Sequence, residues 1–325
     1  IFLPFAKEEF IETSVRRSGG NWVARFEQVL DHATSVHFVT REGYNGEDSL
    51  YSFCNDVMLG FTAMRGRGLD EDPKLLAFWD GQKGSVGGTG ELVERWRGNF
   101  QEPIVICANE VLESVTEDKS PQVSSGETSP AFELSKPSVG KKIARTVKVM
   151  LFADVEGFTK VPEHLTPIFV DKFLGGISEG IKSLSVPPAF ANTWGDSFFA
   201  VFDDLDSALN LAIILRDYFS KGDWSELGLK DGLEVRISMH AGPVYEEFDP
   251  ILKSKNFFGK HVNQAARIEP IVLPGSVYVS EIMAALLAFG HDDFDFEYVG
   301  NLELAKNYGS HPIYILQRTG YKDNI

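Results

Sequence analysis

The stretch VMLFADVEGFT, residues 149–159, sets the pattern for the second half of the chain. Its apolar run predicts a buried strand, and Asp154 follows where that strand gives way to a turn through Gly157. A carboxylate at the mouth of a strand can hold a hard cation. The stretch NTWGDSFFAVF, residues 192–202, has Asp196 in a turn between two further apolar strands. These strands are predicted to flank the first, so the two aspartates are expected to share one cleft.

Two acids that face one cleft repel each other. At about 4 Å and an effective dielectric constant of about 20, two unit charges cost on the order of 4 kcal/mol. Divalent cations remove this repulsion, and Mg²⁺ or Mn²⁺ with triphosphate oxygens in its coordination shell is the occupant that we expect on chemical grounds.

The pattern around these stretches predicts a ferredoxin-like βαββαβ arrangement, and therefore an α+β domain. Its elements are a strand at 147–153, a helix at 165–184, two strands within 189–202, a helix at 205–221 and a strand at 233–241. We expect an antiparallel sheet that is covered on one face. A helix at 260–270, a strand at 276–280, a short helix at 283–289 and a hairpin ending at Tyr314 complete the domain.

Composition divides the chain into three parts. Residues 1–112 alternate strand-like and helix-like segments and predict a smaller α/β domain. Residues 113–145 are rich in Ser, Pro, Glu, Lys and Thr and predict a linker, and residues 146–325 form the domain described above. In the first part, the glycine-rich stretch 80–90 has two interpretations. Its main-chain N–H groups bind a phosphate at a helix N-terminus, or it is a flexible crossover loop. Its spacing matches neither common phosphate-binding pattern.

The charge balance narrows the classes of partner. The chain has 31 Lys and Arg residues against 47 Asp and Glu residues, a formal net charge of -16. This excess of acid repels a polyphosphate backbone, so we expect no nucleic-acid partner. Two cysteines, Cys54 and Cys107, provide neither a disulfide framework nor a cysteine-based zinc site. We find no apolar run of membrane-spanning length and no signal peptide, and the expected compartment is the cytoplasm.

Four ordered motifs carry a specific resemblance to a known family. They are FADVEGFT at 152–159, TWGD at 193–196, RISMHAGPV at 236–244 and FFGKHVNQAARIE at 257–269. Together they resemble the catalytic domain of class III adenylyl and guanylyl cyclases, bacterial type, over nearly all of residues 146–318. The resemblance implies an enzyme of intracellular signalling that converts a nucleoside triphosphate into a 3′,5′-cyclic nucleotide and pyrophosphate.

The resemblance also implies roles for the residues that match the family's motifs. Asp154, Asp196 and the main-chain carbonyl of Val155 would hold two Mg²⁺ or Mn²⁺ ions in each active site. Asn263 would orient the ribose, and Arg267, one helical turn further on, would stabilise the transition state. Because the family supplies the metals and the transition-state residues from opposite subunits, the resemblance implies a head-to-tail homodimer with two equivalent sites.

Other substrate contacts follow from the same resemblance. Phe158 and Thr159 lie in the turn after the first aspartate and are predicted to contact substrate. Lys306 is the best match to a lysine that contacts the terminal phosphates, and a solvent-exposed hairpin lysine is the alternative. The WDG and GGT sequences within residues 79–89 resemble a Rossmann-like segment that precedes some bacterial cyclase domains, which suggests a sensor.

The residues at the base-recognition positions do not identify which nucleoside triphosphate is the substrate. Family adenylyl cyclases have a Lys and an Asp there, and guanylyl cyclases have a Glu and a small residue, whereas this chain has Asn192 and Asn256. An amide both donates and accepts hydrogen bonds, so it discriminates among bases without identifying one. ATP, GTP and a pyrimidine triphosphate, as in the cyclic CMP and cyclic UMP synthesis of phage defence, all stay open.

Two other classes of protein are compatible with parts of the pattern. The first is a catalytically silent nucleotide-binding or dimerisation module, although such modules usually lack a metal-binding Asp or the Asn/Arg pair. The second is a polymerase-like enzyme, because polymerase palm domains share the ferredoxin-like core and a two-aspartate metal site. The acidic charge and the VNQAAR sequence at 262–267 argue against the second class.

Overall fold

The computed structural model describes residues 1–16, 20–111, 143–158, 161–228 and 232–319. The chain forms two compact units, Ile1–Ala144 and Arg145–Ile325. Most of the predicted linker, and Thr159 among the predicted substrate contacts, lie outside the described residues. The linker therefore stays a prediction.

The described residues of the first unit form short strands and helices. The strands are β1 (Phe2–Leu3), β2 (His37–Phe38), β3 (Leu76–Trp79) and β4 (Ile104–Cys107), and the helices are α1 (Lys7–Phe10), α2 (Trp22–Asp31), α3 (Ser49–Leu69) and α4 (Thr89–Asn99), with a π-helix at Ile11–Val15. In this part of the chain β1 pairs in parallel with β2, and β3 pairs in parallel with β4. Parallel pairing agrees with an α/β unit, and its Rossmann-like character stays a prediction.

The glycine-rich stretch 80–90 ends at the start of α4. The N–H group of Gly87 donates to Oε2 of Glu91 at 2.8 Å, and Ser52 donates to the other oxygen of the same carboxylate at 2.7 Å. A carboxylate therefore already interacts with the positive end of this helix. Its negative charge opposes a bound phosphate, and this observation favours the interpretation of the stretch as a crossover loop.

The second unit contains the longer elements. Its strands are β5 (Thr146–Glu156), β6 (Phe190–Trp194), β7 (Ser197–Phe202), β8 (Glu234–Asp249), β9 (Ser254–Phe258), β10 (Val277–Ser280), β11 (Phe294–Glu303) and β12 (Ser310–Arg318). Its helices are α5 (Thr166–Lys182), α6 (Leu205–Lys221), α7 (Lys260–Ile268) and α8 (Glu281–Ala288), with 3-10 turns at Glu163–Leu165, Ser225–Leu227 and Glu269–Ile271.

Among the described residues these strands form one eight-stranded sheet in the order β11-β12-β10-β8-β5-β7-β6, with β9 paired to the far end of β8. The central order β8-β5-β7-β6 is antiparallel and is the predicted ferredoxin-like arrangement. The prediction of an antiparallel sheet was wrong at one pair, because β10 runs parallel to β8. The prediction that both strands around Asp196 flank β5 was also wrong: β7 does, and β6 is the edge strand.

Both faces of β5 are covered, whereas one covered face was predicted. Side chains alternate between the faces of a strand. Met150 is buried on one face with Ala265 of α7, and Leu151 is buried on the other. The second covering layer is α7, whose buried residues His261, Ala265 and Ile268 recur at helical spacing, and the prediction of one covered face did not include it.

Helices α5 and α6 pack closely because α5 has glycines where α6 approaches. A Cβ atom at Gly176 would lie 2.2 Å from Cε1 of Tyr218, so only hydrogen fits there. Helix α6 begins after Asp204, whose carboxylate accepts a hydrogen bond from the N–H of Ser207 at 2.8 Å. This N-cap fixes where the chain leaves β7 and turns into the helix.

Candidate active site

Asp154 stands in a row of three side chains across neighbouring strands. It lies opposite Ser197 of β7 on one side and opposite Arg236 of β8 on the other, so all three share one face of the sheet. The Ser197 hydroxyl donates to Oδ1 of Asp154 at 2.5 Å, and Nη2 of Arg236 donates to Oδ2 at 2.5 Å. Both oxygens of the carboxylate are therefore held by neighbouring strands.

Asp196 lies in the turn between β6 and β7, beside this row. Gly195 gives the turn its left-handed backbone, with φ of 62°. The carbonyl of Asp196 accepts a hydrogen bond from the N–H of Val155 at 3.3 Å, which joins the turn to the end of β5. Burial raises the pKa of Asp196, and the negative charge of Asp154 raises it further. The structure therefore brings the two aspartates into one electrostatic environment.

Arg236, which was not predicted from the sequence as a site residue, contacts three carboxylates. Besides Asp154, its Nε lies 3.1 Å from Oε1 of Glu269 and its Nη1 lies 3.7 Å from Oε2 of Glu156. Burial raises the pKa of Glu269 to about 7, and the charges of the neighbouring acids act in the same direction against the opposing effect of Arg236. The one signal for Glu269 in the sequence is its position at the end of the FFGKHVNQAARIE motif.

These groups fit a divalent cation. Arg236 contacts three carboxylates and the charge of Asp196 acts on the same groups, so the site has an excess of negative charge that a divalent cation would relieve. Within the described ranges no group of three or more His, Cys, Asp and Glu side chains is placed so that it could hold a metal ion by itself. The remaining ligands would thus be main-chain carbonyls, waters and phosphate oxygens, which is how proteins usually hold Mg²⁺.

Helix α7 carries the predicted ribose and transition-state residues. Asn263 is exposed and Arg267 is half-buried, and neither side chain forms a hydrogen bond or an ion pair within the described part of the chain. The carbonyl of Arg267 accepts a hydrogen bond from the N–H of Ala305 at 3.3 Å. This bond holds the β11–β12 turn, with the exposed Lys306 at φ of 60°, against the C-terminal end of α7. The structure therefore groups Arg267 with Lys306 through the main chain.

A polar seam, defined as the contacts of Arg236, Ser238 and His240 with α7 and with Glu269 directly after it, fixes the helix on the sheet. Arg236 approaches Glu269, Ser238 donates to the carbonyl of Ala265 at 2.9 Å, and Nε2 of His240 is hydrogen-bonded to Nδ1 of His261 at 2.8 Å. Two residues of a strand span about 6.6 Å. Four residues of a helix span about 6.0 Å. Alternate strand residues therefore meet every fourth helix residue.

The predicted base-reading residues lie at the edge of the sheet. Asn192 is exposed on β6, and Asn256 on β9 donates to Oδ2 of Asp249 at 3.0 Å. The rings of Phe190 and Phe257 lie 6.2 Å apart, so the two strands that carry these amides are neighbours.

The aromatic residues near the site differ in exposure. Phe158 packs on Phe169 with a ring distance of 4.6 Å, which places it at the rim of the hydrophobic core. Trp194, the last residue of β6, is 87% exposed. None of the described helices is both long enough and apolar enough to cross a membrane.

Comparison with known proteins defines the class. The family model of the adenylate and guanylate cyclase catalytic domain matches residues 142–318, more than half of the chain, and the chain belongs to this family. Among its relatives, the receptor-type guanylate cyclase gcy-8 of Caenorhabditis elegans is 24% identical over 190 residues, which are 54% of this chain and 16% of that protein. The germination-specific adenylate cyclase of Dictyostelium discoideum is 27% identical over 163 residues, which are 45% of this chain and 18% of that protein.

The solved structures of similar fold include the adenylyl cyclase CyaB from P. aeruginosa, with 19% identity and a TM-score of 0.48, covering 56% of this chain and 97% of that chain. The chain spans less than a fifth of the length of the two relatives named above.

Proposed function

We propose that this protein is a nucleotidyl cyclase that converts a nucleoside triphosphate into a 3′,5′-cyclic nucleotide and pyrophosphate. The observation that carries the proposal is the pairing of Asp154 and Asp196 at the ends of adjacent elements, where each carboxylate raises the negative potential at the other. Membership of the cyclase family supports it.

In this proposal Asp154, Asp196 and the carbonyl of Val155 hold two Mg²⁺ or Mn²⁺ ions. When bound, these ions supply the positive charge that activates the ribose 3′-hydroxyl and neutralises the triphosphate. Ser197 and Arg236 keep the carboxylate of Asp154 oriented, because each of them holds one of its oxygens.

Asn263 orients the ribose and Arg267 stabilises charge that develops on the transferred phosphorus group. Both side chains are unpaired within the described residues, which leaves them available to a substrate. The turn that contains Lys306 is hydrogen-bonded, through the N–H of Ala305, to the carbonyl of Arg267. Lys306 would therefore reach the terminal phosphates from the same side as Arg267. We propose that these residues act on the metal site of a second subunit in a head-to-tail homodimer.

The base is assigned to the neighbouring strands that carry Asn192 and Asn256. Amides at both positions favour no purine over another and leave a pyrimidine triphosphate as a second candidate substrate. Turnover measured with ATP, GTP, CTP and UTP under Mn²⁺ identifies the base, and turnover of ATP alone would remove the pyrimidine candidate. The first unit is proposed as a regulatory domain.

Asp196→Asn tests the proposal. This change keeps the shape of the side chain and removes its charge, so we expect loss of cyclic nucleotide formation with an unchanged circular dichroism spectrum and thermal midpoint. Asp154→Asn is a less clean test, because it also breaks the contact with Arg236.

The matched control is Glu179→Gln, which neutralises an exposed acid on α5 and is expected to leave turnover unchanged. A folded Asp196→Asn protein that still forms product would contradict the proposed role of the acid. A wild-type protein that binds nucleotide but forms no product would identify a catalytically silent module.

A further inference from the structure

We propose that Arg236 is a tethered counter-ion of the metal site: it neutralises and orients Asp154 when no divalent cation is bound, and Glu269 fixes its guanidinium in that position. The inference rests on the proposed metal site and adds a positioning residue to it. It makes no use of the identity of the nucleotide.

The geometry of the guanidinium carries the proposal. Arg236 stands directly across from Asp154 in the β5–β8 register and is bonded to it at 2.5 Å. The side chains are largely buried, at 24% and 21% exposure, so the charges interact with less screening than a surface pair. A cation that touches a metal-binding carboxylate competes with the metal for the same negative charge.

Glu269 supplies the second half of the arrangement. Its Oε1 lies 3.1 Å from Nε of Arg236, yet within the described residues neither atom has a well-directed hydrogen bond. The contact is therefore mainly one of charge, and it holds the guanidinium at Nε, the atom next to the Nη2 group that reaches Asp154. The same arginine also lies near Glu156, so its positive charge acts on three carboxylates, and its hydrogen bond goes to Asp154.

The arrangement also links the metal site to α7. Glu269 is two residues beyond Arg267 and follows directly on the last residue of that helix. The contacts from Asp154 through Arg236 to Glu269 therefore join the metal-binding strand to the helix that carries Asn263 and Arg267. A purely structural arginine would stabilise this connection without affecting the response to metal, and the experiment separates these two roles.

The experiment measures the thermal midpoint of the full chain in EDTA and in Mn²⁺, without nucleotide. We expect Arg236→Met to lower the midpoint in EDTA, because the acids lose their counter-ion. Mn²⁺ should then raise the midpoint more than in the wild type, with an apparent Kd about tenfold lower, because a repelling charge near the metal is gone. A shift equal to or smaller than that of the wild type would overturn the proposal.

Glu269→Gln provides a second variant, for which we expect the opposite change in the Mn²⁺-induced shift of the thermal midpoint. It removes one negative charge and leaves Arg236 to compensate the remaining acids, so the Mn²⁺ shift should be smaller than in the wild type. This isosteric change keeps the test valid if Arg236→Met fails to fold. An unchanged or larger shift in Glu269→Gln would count against the counter-ion role.

The control is Arg216→Met, which removes another buried arginine, the one bonded to Asp217 on α6 at 2.8 Å. It should lower the midpoint in EDTA and leave the Mn²⁺ shift unchanged. Asp196→Asn should abolish the shift. If the wild type shows no shift, the counter-ion role fails, whereas the proposed function, in which phosphate oxygens complete the metal shell, is tested separately by the turnover of Asp196→Asn. A wild-type shift that Arg236→Met does not enlarge contradicts only the counter-ion role.

Discussion

His240 is the buried histidine at one end of the polar seam. Its Nδ1 is hydrogen-bonded to the hydroxyl of Ser280 at 2.7 Å and its Nε2 to His261 at 2.8 Å. Burial lowers its pKa well below the usual 6.5, and the nearby His261 and His311 lower it further. The histidine is therefore neutral in the folded protein and connects β8 to the first turn of α7.

The lowered pKa of His240 predicts a loss of stability in acid. The unfolded chain binds a proton at about pH 6.5 and the folded chain at a much lower pH, so the stabilisation is present above pH 6.5 and is lost as the pH falls below it. Each pH unit in this range costs up to about 1.4 kcal/mol. The measurement is the free energy of unfolding in urea from pH 7.5 to pH 5.

His240→Gln should flatten this pH dependence, and His164→Gln, which changes an exposed histidine, should preserve it. The comparison between variants matters because Glu269, with its pKa raised to about 7, acts in the opposite direction: its contribution is present at low pH and is lost as the pH rises through 7. Equal pH dependence in the wild type and His240→Gln would contradict the assignment.

At the level of single residues, Asp154 and Asp196 could be predicted from the sequence, whereas Arg236, the arginine that pairs with Asp154, was not predicted. Asp154 and Asp196 are each recognisable because an apolar strand runs directly into or out of a turn. Arg236 and Glu269 are 33 positions apart along the chain and meet only because α7 folds back on β8. Nothing local in the sequence encodes that contact.

Gly175 and Gly176 on helix α5 test how closely α5 and α6 pack. A Cβ atom at Gly175 has no neighbour within 4 Å, whereas at Gly176 it would meet the ring of Tyr218 at 2.2 Å. The ring has little freedom to move, because its hydroxyl donates to the carbonyl of Lys172 at 2.9 Å. The two adjacent glycines therefore differ only in what faces them.

Gly175→Ala should raise the free energy of unfolding by about 0.5–1 kcal/mol, because alanine favours the helix. Gly176→Ala should lower it by about 1–3 kcal/mol through overpacking. Chemical denaturation of the two variants measures both effects, and each variant is the other's control. Equal stability of the two would show that the helices do not pack as described.

Most helices and strands of the second unit could be predicted from the sequence, whereas the pairing of the strands could not be predicted fully. The predicted helix at 205–221 is α6 without change, and the predicted helix at 165–184 is α5 with slightly different ends. Hydrophobic periodicity is a local signal and therefore finds such elements. The parallel pairing of β10 with β8 is a long-range contact. The strand at 233–241 was predicted too short, because β8 continues to Asp249 and its residues 245–249 pair with β9.

At the scale of the whole molecule, the proposed homodimer predicts complementation. A chain with Asp196→Asn keeps a working α7, and a chain with Arg267→Ala keeps a working metal site. Their heterodimer would contain one site with both sets of residues intact. Random assortment of equal amounts makes half of the dimers mixed, so the mixture should reach about a quarter of wild-type activity.

The measurement is the turnover of co-expressed or exchanged chains against each variant alone. Both parent variants should be inactive, and a mixture of Asp196→Asn with Glu179→Gln serves as the control for the effect of mixing itself. Activity of the first mixture no higher than that of its parents would show that each site is built from one chain.

The match between β8 and α7 limits how the length of this protein can change. One inserted residue between Arg236 and His240 would turn every later side chain of the strand to the opposite face. One inserted residue in α7 would rotate its later part by about 100°. Insertions and deletions are thus expected in the connecting segments, such as residues 250–253, while this strand and this helix keep a constant number of residues.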